Sequence, residues 1–254
     1  MTEDRRFSAL SRLYGVAASH RIRSAHVVVV GIGGVGSWAA ESLARSGVGR
    51  ITLVDLDHVA ESNINRQIHA TLATLGQAKV VAMSERIASY FPECHVQCID
   101  DFATSSNWLH VVPADADAVI DACDQVLTKV CIAHWALDNN TIFVTSGAAG
   151  GKRHAHRVDL DDLSQVTHDP LLAKVRYTLR RQYSAPRGNK RMRVACVYSN
   201  EPVAPPDASC QVAGDGTLNC HGFGSLVTVT AAFGLCAAGY VLNQLAGQPT
   251  TEKP

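Results

Sequence analysis

Apolar residues fall along this chain in two alternating rhythms, short β-branched runs and stretches of helical spacing, and the alternation predicts an α/β sheet. Residues 26–30 read His-Val-Val-Val-Val and end at a glycine, the mark of a strand buried on both faces of a parallel sheet. Val35, Trp38, Ala39 and Leu43 then recur at helical spacing. Glu41 and Arg45 are predicted as an i,i+4 pair on the outer face of that helix, and Gly47 closes it. Residues 50–54 supply a second strand, completing a β-α-β unit whose crossover is right-handed. Val80, Met83, Ile87 and Tyr90 mark another helix, stopped near Pro92. Strands follow at 94–99, 118–120 and 141–145, with a helix over 126–138 and a flexible glycine-rich stretch at 146–151. This is the pattern of a doubly wound, mainly parallel Rossmann-like sheet.

After residue 151 the character changes. Residues 154–160 predict an antiparallel strand that continues the sheet, and 174–193 form a basic helical and loop insertion with eight Lys or Arg and no acid. Pro202, Pro205 and Pro206 make 200–216 an irregular excursion. The chain therefore reads as a single domain over 1–254. Its nucleotide-binding half is 1–150, and 151–254 is an elaboration with the basic segment and a buried C-terminal helix. Residues 222–242 carry no charge and are long enough to cross a bilayer. Their Ser, Thr and Gly content and the lack of basic flanks favour a core helix, so no membrane is expected as a partner, although hydropathy alone suggests a C-terminal span.

Composition narrows the picture. At 254 residues and 46% hydrophobic content the chain buries a substantial core without staples. Zero formal net charge excludes a global pull toward nucleic acid or lipid, so such an attraction has to be local. The eight cysteines include no C-x-x-C pair, which argues against a four-thiolate zinc site and for reduced thiols. The charged N-terminus lacks the apolar core of a secretory signal, and a cytoplasmic protein is expected.

The chemistry concentrates after the first strand. In the GIGGVG string at 31–36, Gly31 permits a tight turn, Gly33 lets phosphate approach backbone N–H groups, and Gly36 allows close helix–strand packing. Asp55 stands where a ribose-binding acid belongs, with Asp57 beside it. To this point a nicotinamide-dependent oxidoreductase fits equally well. Arg66 and Lys79 change the balance, because they bring cations to the edge of the sheet where nucleotide phosphates lie. ATP cleavage needs fixed positive groups for its leaving pyrophosphate, and a dinucleotide carrier does not. Asn63 and Asn65 can donate to phosphate or hold the arginine. Asp124, ending another strand, is placed to hold magnesium and can also cap the next helix. Singly, Arg66 reads as a solvated surface arginine and Lys79 as an ordinary first-turn lysine. Their joint order makes coincidence a poor explanation.

The order Gly-x-Gly-Gly-x-Gly, Asp-x-Asp, Asn-x-Asn-Arg-Gln, Gly-Gln-x-Lys at 76–79 and Asp-x-x-Asp at 121–124 resembles the adenylating superfamily of ubiquitin-activating enzymes and bacterial sulfur-carrier adenylyltransferases. Within it the nearest likeness, over about residues 7–245, is to the tRNA threonylcarbamoyladenosine dehydratases. It is carried by RLYG at 12–15, GIGGVGSWAA at 31–40, NRQIHA at 65–70, DPL at 169–171, SNE at 199–201 and GFG at 222–224. The resemblance implies ATP and Mg2+ contacts by Gly34, Asp55, residues 62–66 including Ser62, Lys79, Asp124 and Gln125. It also implies a homodimer in which Arg12 of one subunit reaches the other's ATP. The reaction it implies is ATP-dependent dehydration of threonylcarbamoyladenosine beside the tRNA anticodon.

The missing C-x-x-C pairs separate the chain from the sulfur-carrier relatives, although activation of a ubiquitin-like sulfur carrier stays open as an alternative and sulfur-transfer proteins as candidate partners. By itself the basic segment is a solvated helix and loop. With the resemblance, Lys174, Arg176, Arg180, Arg181, Arg187, Lys190, Arg191 and Arg193 become candidate contacts to tRNA phosphates, and Tyr177 and Tyr183 candidate base-stacking rings. Two features depart from the family pattern. Ser8 and Ala9 stand in place of two glycines, and residues 152–157 are richer in histidine and arginine. Cys220 reads more readily as a small buried hydrophobe than as an acyl-capturing thiol.

Overall fold

A computed structural model describes residues 5–188, 190–207, 209 and 223–247. Helices α1 (Ser8–Tyr14) and α2 (Val16–Ser24) come first. Periodicity predicts neither, since α1 buries no residue and α2 buries only Ala18, Ser19 and Ile22. Then follow β1 (His26–Val30), α3 (Gly36–Arg45), β2 (Arg50–Val54), α4 (Lys79–Ala88) and β3 (His95–Ile99). The chain continues through α5 (Trp108–Val111), β4 (Ala118–Asp121), α6 (Val126–Asn139) and β5 (Ile142–Ser146). It ends with β6 (Val158–Asp162), α7 (Pro170–Gln182), β7 (Ala195–Ser199) and α8 (Val227–Leu245).

The seven strands form one sheet in the order β3-β2-β1-β4-β5-β7-β6. Every neighbouring pair is parallel except β6 with β7. The valine run of β1 explains itself in this frame. Val27 and Val29 face the layer of α2, α3, α4 and α8, while Val28 and Val30 face that of α5, α6 and α7. Each valine removed from water contributes about 2 kcal/mol. The strand order reverses between β1 and β4, whose carboxyl ends open a crevice at the switch point.

Several expectations are corrected. Glu41 does pair with Arg45, but it is only 4% exposed and lies between α3 and α4. It also accepts from Arg86 Nε at 2.9 Å and Tyr90 OH at 3.1 Å, so the helix has no acid on its outer face there. The antiparallel strand begins at Val158, because residues 155–157 form a 3-10 turn. Strand β7 went unpredicted although an apolar run at 194–198 signals it. The glycine-rich stretch at 146–151 is mostly buried and pinned, with Gly147 N–H donating to Val197 O at 2.8 Å and Ala148 N–H to Asp169 Oδ2 at 2.9 Å. Ser8 and Ala9, which stand in place of two glycines, lie in the first turn of α1.

Within the apolar C-terminal run, residues 227–245 form α8. Val229, Phe233, Ala237 and Val241 turn one face into the core. A Cβ on Gly234 would stand 2.4 Å from Val35 O, so this glycine lets α8 lie directly on α3. By length and composition α8 is apolar enough to span a bilayer, and here that character serves contacts with α3 and with strands β4 to β7. Its outer face, including Thr228, Leu235 at 50% exposure and Asn243, carries no charge.

Candidate active site

At the carboxyl end of β1 the chain turns at Gly31 with φ +84°. A Cβ there would stand 2.9 Å from the Ala122 carbonyl, and one on Gly36 would stand 1.8 Å from Gly31 O. Only glycine lets the turn pass so close to the end of β4 and launch α3. Gly33 has open space where a Cβ would be, leaving its side of the turn accessible. Gly34 faces Arg66 Cγ and Thr230 of α8, at 3.3 and 3.2 Å from its would-be Cβ. The arginine stem therefore lies against the glycine turn.

Asp55, 7% exposed, locks the turn. Its Oδ2 accepts Ile32 N–H at 2.6 Å and its Oδ1 accepts Asp57 N–H at 2.8 Å, which leaves each oxygen a further lone pair for a ligand hydroxyl. Burial raises its pKa, outweighing the opposing pull of Lys79 and the two N–H donors. Lys79, 6% exposed, opens α4 and bonds Asp57 Oδ2 at 2.6 Å. Its own N–H donates to Asp57 O at 2.9 Å, so backbone and side chain together tie the start of α4 to the end of β2.

Residues 61–63 form a 3-10 turn in which Asn63 is buried and its Oδ1 accepts Ala60 N–H at 3.1 Å. The Asn63 Oδ1 is thus taken by backbone capping, which leaves its Nδ2 donors outside that bond. Asn65 matches the arginine-holding expectation, since its Oδ1 accepts Arg66 Nη1 at 3.0 Å while its Nδ2 donates to Ser225 O. Arg66 also donates to Ser62 O at 2.7 Å, and Trp38 Nε1 donates to Arg66 O at 3.0 Å. The Ser62 side chain is exposed beside them.

Asp124 and Gln125 project from the link between β4 and α6, both exposed, with Gln125 Nε2 donating to Asp124 Oδ1 at 3.1 Å. The helix-capping expectation for Asp124 fails, because Gln125 occupies the cap position and no side chain caps the helix. Among the described residues no three His, Cys, Asp or Glu side chains cluster as a metal cage. The exposed carboxylate of Asp124 fits a magnesium ion carried mainly by phosphate oxygens, the way magnesium usually binds.

Beneath this link lies a pair that sequence patterns missed. Lys129 and Asp121 are both fully buried and 3.1 Å apart. Burial works against the Lys129 ammonium, yet the Asp121 carboxylate leads a set of negative groups that holds its pKa above the ordinary value. Helical spacing made Lys129 look like any polar residue of α6. Lys152, which opens the histidine- and arginine-rich stretch at 152–157, is only 2% exposed. Its Nζ donates to carbonyls of His168, Ser199 and Glu201, and burial lowers its pKa.

Two groups of predicted residues lie away from the crevice. Arg12 is exposed on α1, whose Tyr14 OH donates to Asn243 Oδ1 at 2.8 Å. The thirteen residues of α8 between Thr230 and Asn243 span roughly 20 Å at about 1.5 Å each, so α1 packs against the end of α8 far from the glycine turn. In the basic segment, Arg176 donates to the carbonyls of Leu163 and Val166, and Arg180 to those of Pro186 and Gly188. Tyr183 packs its ring 4.0 Å from His134. Lys174, Arg181, Arg187, Lys190, Arg191 and Arg193 are exposed, as is Tyr177. Cys220 and Gly222 lie outside the described residues.

A reversed-order parallel sheet with a glycine turn, an acid at the end of the second strand and two cations beyond it defines a Rossmann-like nucleotide binder. Comparison with known families narrows the class: the chain belongs to the ThiF family, whose model matches residues 5–254. It is 41% identical to the tRNA threonylcarbamoyladenosine dehydratase of Haemophilus influenzae, over 95% of this chain and 94% of that one. To the Escherichia coli protein of the same name it is 40% identical, over 94% and 93%. A crystal structure of the E. coli tRNA N6-threonylcarbamoyladenosine dehydratase in complex with ATP superposes with a TM-score of 0.86 at 39% identity, covering 95% of this chain and 94% of that one.

Proposed function

We propose that this protein is an ATP-dependent enzyme that dehydrates threonylcarbamoyladenosine in tRNA to its cyclic form. The observation that carries the reading is the pair of cations, Arg66 and Lys79, held beside a glycine turn in a chain that its dehydratase relatives match almost end to end. ATP is the nucleotide. A threonyl carboxylate oxygen attacks the α-phosphorus, the bond to pyrophosphate breaks, and an acyl-adenylate forms. A nucleophilic atom of the carbamoyl group on the same nucleoside then attacks the activated carbonyl, loses its proton and expels AMP. Ring closure is intramolecular, so positioning replaces a strong external base.

In this mechanism Gly31 and Gly36 shape the turn, Gly31 giving its own N–H to Val54 O at 2.8 Å, and the N–H groups at Gly33 and Gly34 cradle phosphate at the start of α3. Asp55 accepts from the ribose, while Asn65 and Ser62 hold the Arg66 guanidinium in place. Arg66 and Lys79 neutralise the charge that grows on the departing pyrophosphate. Asp124, with Gln125 bonded beside it, would hold a magnesium ion, which would supply charge neutralisation on the phosphates. Asn63 shapes the turn through its Oδ1 and offers its Nδ2 donors to phosphate.

Arg12 acts on the nucleotide of a partner subunit in a homodimer. Two observations support this: α1 docks roughly 20 Å along α8 from the glycine turn, too far for a side chain to reach its own crevice, and the outer face of α8 is uncharged. The exposed cations of the basic segment meet tRNA phosphates, with Tyr177 available for a base. Acting on tRNA places the enzyme in the cytoplasm. Nothing among the described residues selects a sulfur-transfer partner, and that partner forms no part of the proposal.

The test is nucleoside mass spectrometry of tRNA from cells lacking this chain. The cyclic nucleoside should vanish and threonylcarbamoyladenosine should accumulate, with the cyclic form restored by adding purified protein, ATP and Mg2+. Undiminished cyclic nucleoside in those cells defeats the assignment.

A further inference from the structure

The link between β4 and α6 is tethered at both ends by one buried residue, at one end through its backbone and at the other through its side chain. Lys129 lies four residues into α6, and its N–H donates to Gln125 O at 3.0 Å. Its Nζ reaches back past the link to Asp121 Oδ2 at 3.1 Å, and across to Thr145 Oγ1 at 3.1 Å and Ser146 O at 2.8 Å at the end of β5. Thr145 Oγ1 donates to Asp121 Oδ2 at 2.7 Å, and Asp121 Oδ1 accepts Cys123 N–H at 3.1 Å. Ala122 N–H donates to Val30 O at 2.8 Å, and the Ala122 carbonyl abuts Gly31. The link is thus held at Asp121, Ala122, Cys123 and Gln125, on both sides of Asp124, and the Asp124 and Gln125 side chains are exposed.

A fully buried ion pair is a poor way to gain stability. Apolar residues of the same volume usually do as well or better, because two charges must be stripped of water. What the pair provides instead is direction, since each charge is satisfied in one geometry only. We propose that Lys129, through Asp121 and Thr145, is a positioning residue that sets the Asp124 carboxylate in register with the glycine turn, so that the turn and the carboxylate hold the phosphates and the ion of one metal–nucleotide complex. This rests on the reading of Asp124 as the magnesium carboxylate.

The affinity of the ion can be read without turnover. Manganese(II) is titrated by electron paramagnetic resonance into the full chain holding a non-hydrolysable ATP analogue, for wild type, Lys129→Met and Thr145→Val. Loosening the link weakens ion affinity about tenfold in Lys129→Met, the scale of a lost supporting contact behind a metal ligand, and by a smaller factor in Thr145→Val. Analogue affinity without the ion stays within about twofold of wild type. A pair that only holds the core together would lower the melting temperature and leave ion affinity untouched, which overturns the proposal. If Lys129→Met does not fold, Thr145→Val, which keeps side-chain volume, decides by the same criterion. Should Asp124→Asn bind manganese like wild type, the underlying reading of Asp124 fails. Should Asp124→Asn lose the ion while both other folded variants keep it, only the role of Lys129 falls.

Discussion

The cations beside the glycine turn and those of the basic segment look alike as residue types, yet the fold treats them differently. Lys79 is anchored by the Asp57 carboxylate, and Arg66 by the Asn65 side chain and the Ser62 carbonyl through one nitrogen, Nη1, which leaves the rest of its guanidinium to a ligand. In the segment at 174–193, Arg176 and Arg180 instead give their donors to backbone carbonyls and shape the protein itself. A cation is worth to a phosphate what its existing partners leave over. Counting positive residues along a chain therefore overstates a binding face, while two well-anchored cations outweigh a longer run.

The largest effect that tests this contrast is on turnover. Arg66→Ala and Lys79→Ala should each slow cyclisation about 10²- to 10³-fold, the scale of removing one charge-stabilising donor from a transition state. Single-turnover assays at saturating ATP and tRNA measure it, and near wild-type rates would put the cations outside the chemistry.

A second effect is confined to the nucleotide side. His69 is 2% exposed, and neither ring nitrogen finds a hydrogen-bond partner among the described residues. Burial, with Lys79 and Arg86 close by, lowers its pKa from 6.5 to about 4. The folded state binds this proton less readily than the unfolded one. The contribution of the neutral ring is therefore intact above about pH 6.5 and is lost as the pH falls toward 4, a total of about 3 kcal/mol. Denaturant melts across that window should show the decline, and His69→Leu should flatten it.

On the basic side, replacing Arg187, Lys190 and Arg191 together by alanine should weaken tRNA binding about tenfold near 0.1 M salt and reduce the slope of log affinity against log salt by about 2 to 3. ATP affinity should not move. Filter binding over a salt series decides it, and an unchanged slope would release the segment from any role in tRNA contact. The smallest effect sharpens the comparison from within. Arg180→Ala should cost about 1 kcal/mol of stability through its lost carbonyl bonds, yet change the salt slope by less than any one of the exposed cations.

Much of the nucleotide half was legible because its parts are local. An apolar strand, a glycine string, an acid at the next strand's end and a lysine opening a helix all follow from periodicity and short spacing, so Gly31, Gly36, Asp55 and Lys79 were found with the surroundings expected of them. Residue type does not separate Asn63 from Asn65, because the Oδ1 of the first caps its own turn while that of the second holds Arg66. Strand β7 was overlooked because its apolar run follows a basic stretch, which drew the reading toward loop. Glu41 was put on the surface by its i,i+4 partner, when a second arginine, Arg86 from α4, had closed over it.

Taken alone, the order of residues commits the chain to a doubly wound sheet, a glycine turn and two cations just beyond the second strand, since each is written in neighbours a few positions apart. Folding alone settled where the remaining charges spend themselves. Lys129 finds Asp121 and Ser146, and Lys152 finds Glu201 forty-nine positions away. Residue type says that a buried charge must be satisfied; only the path of the chain through space says by whom.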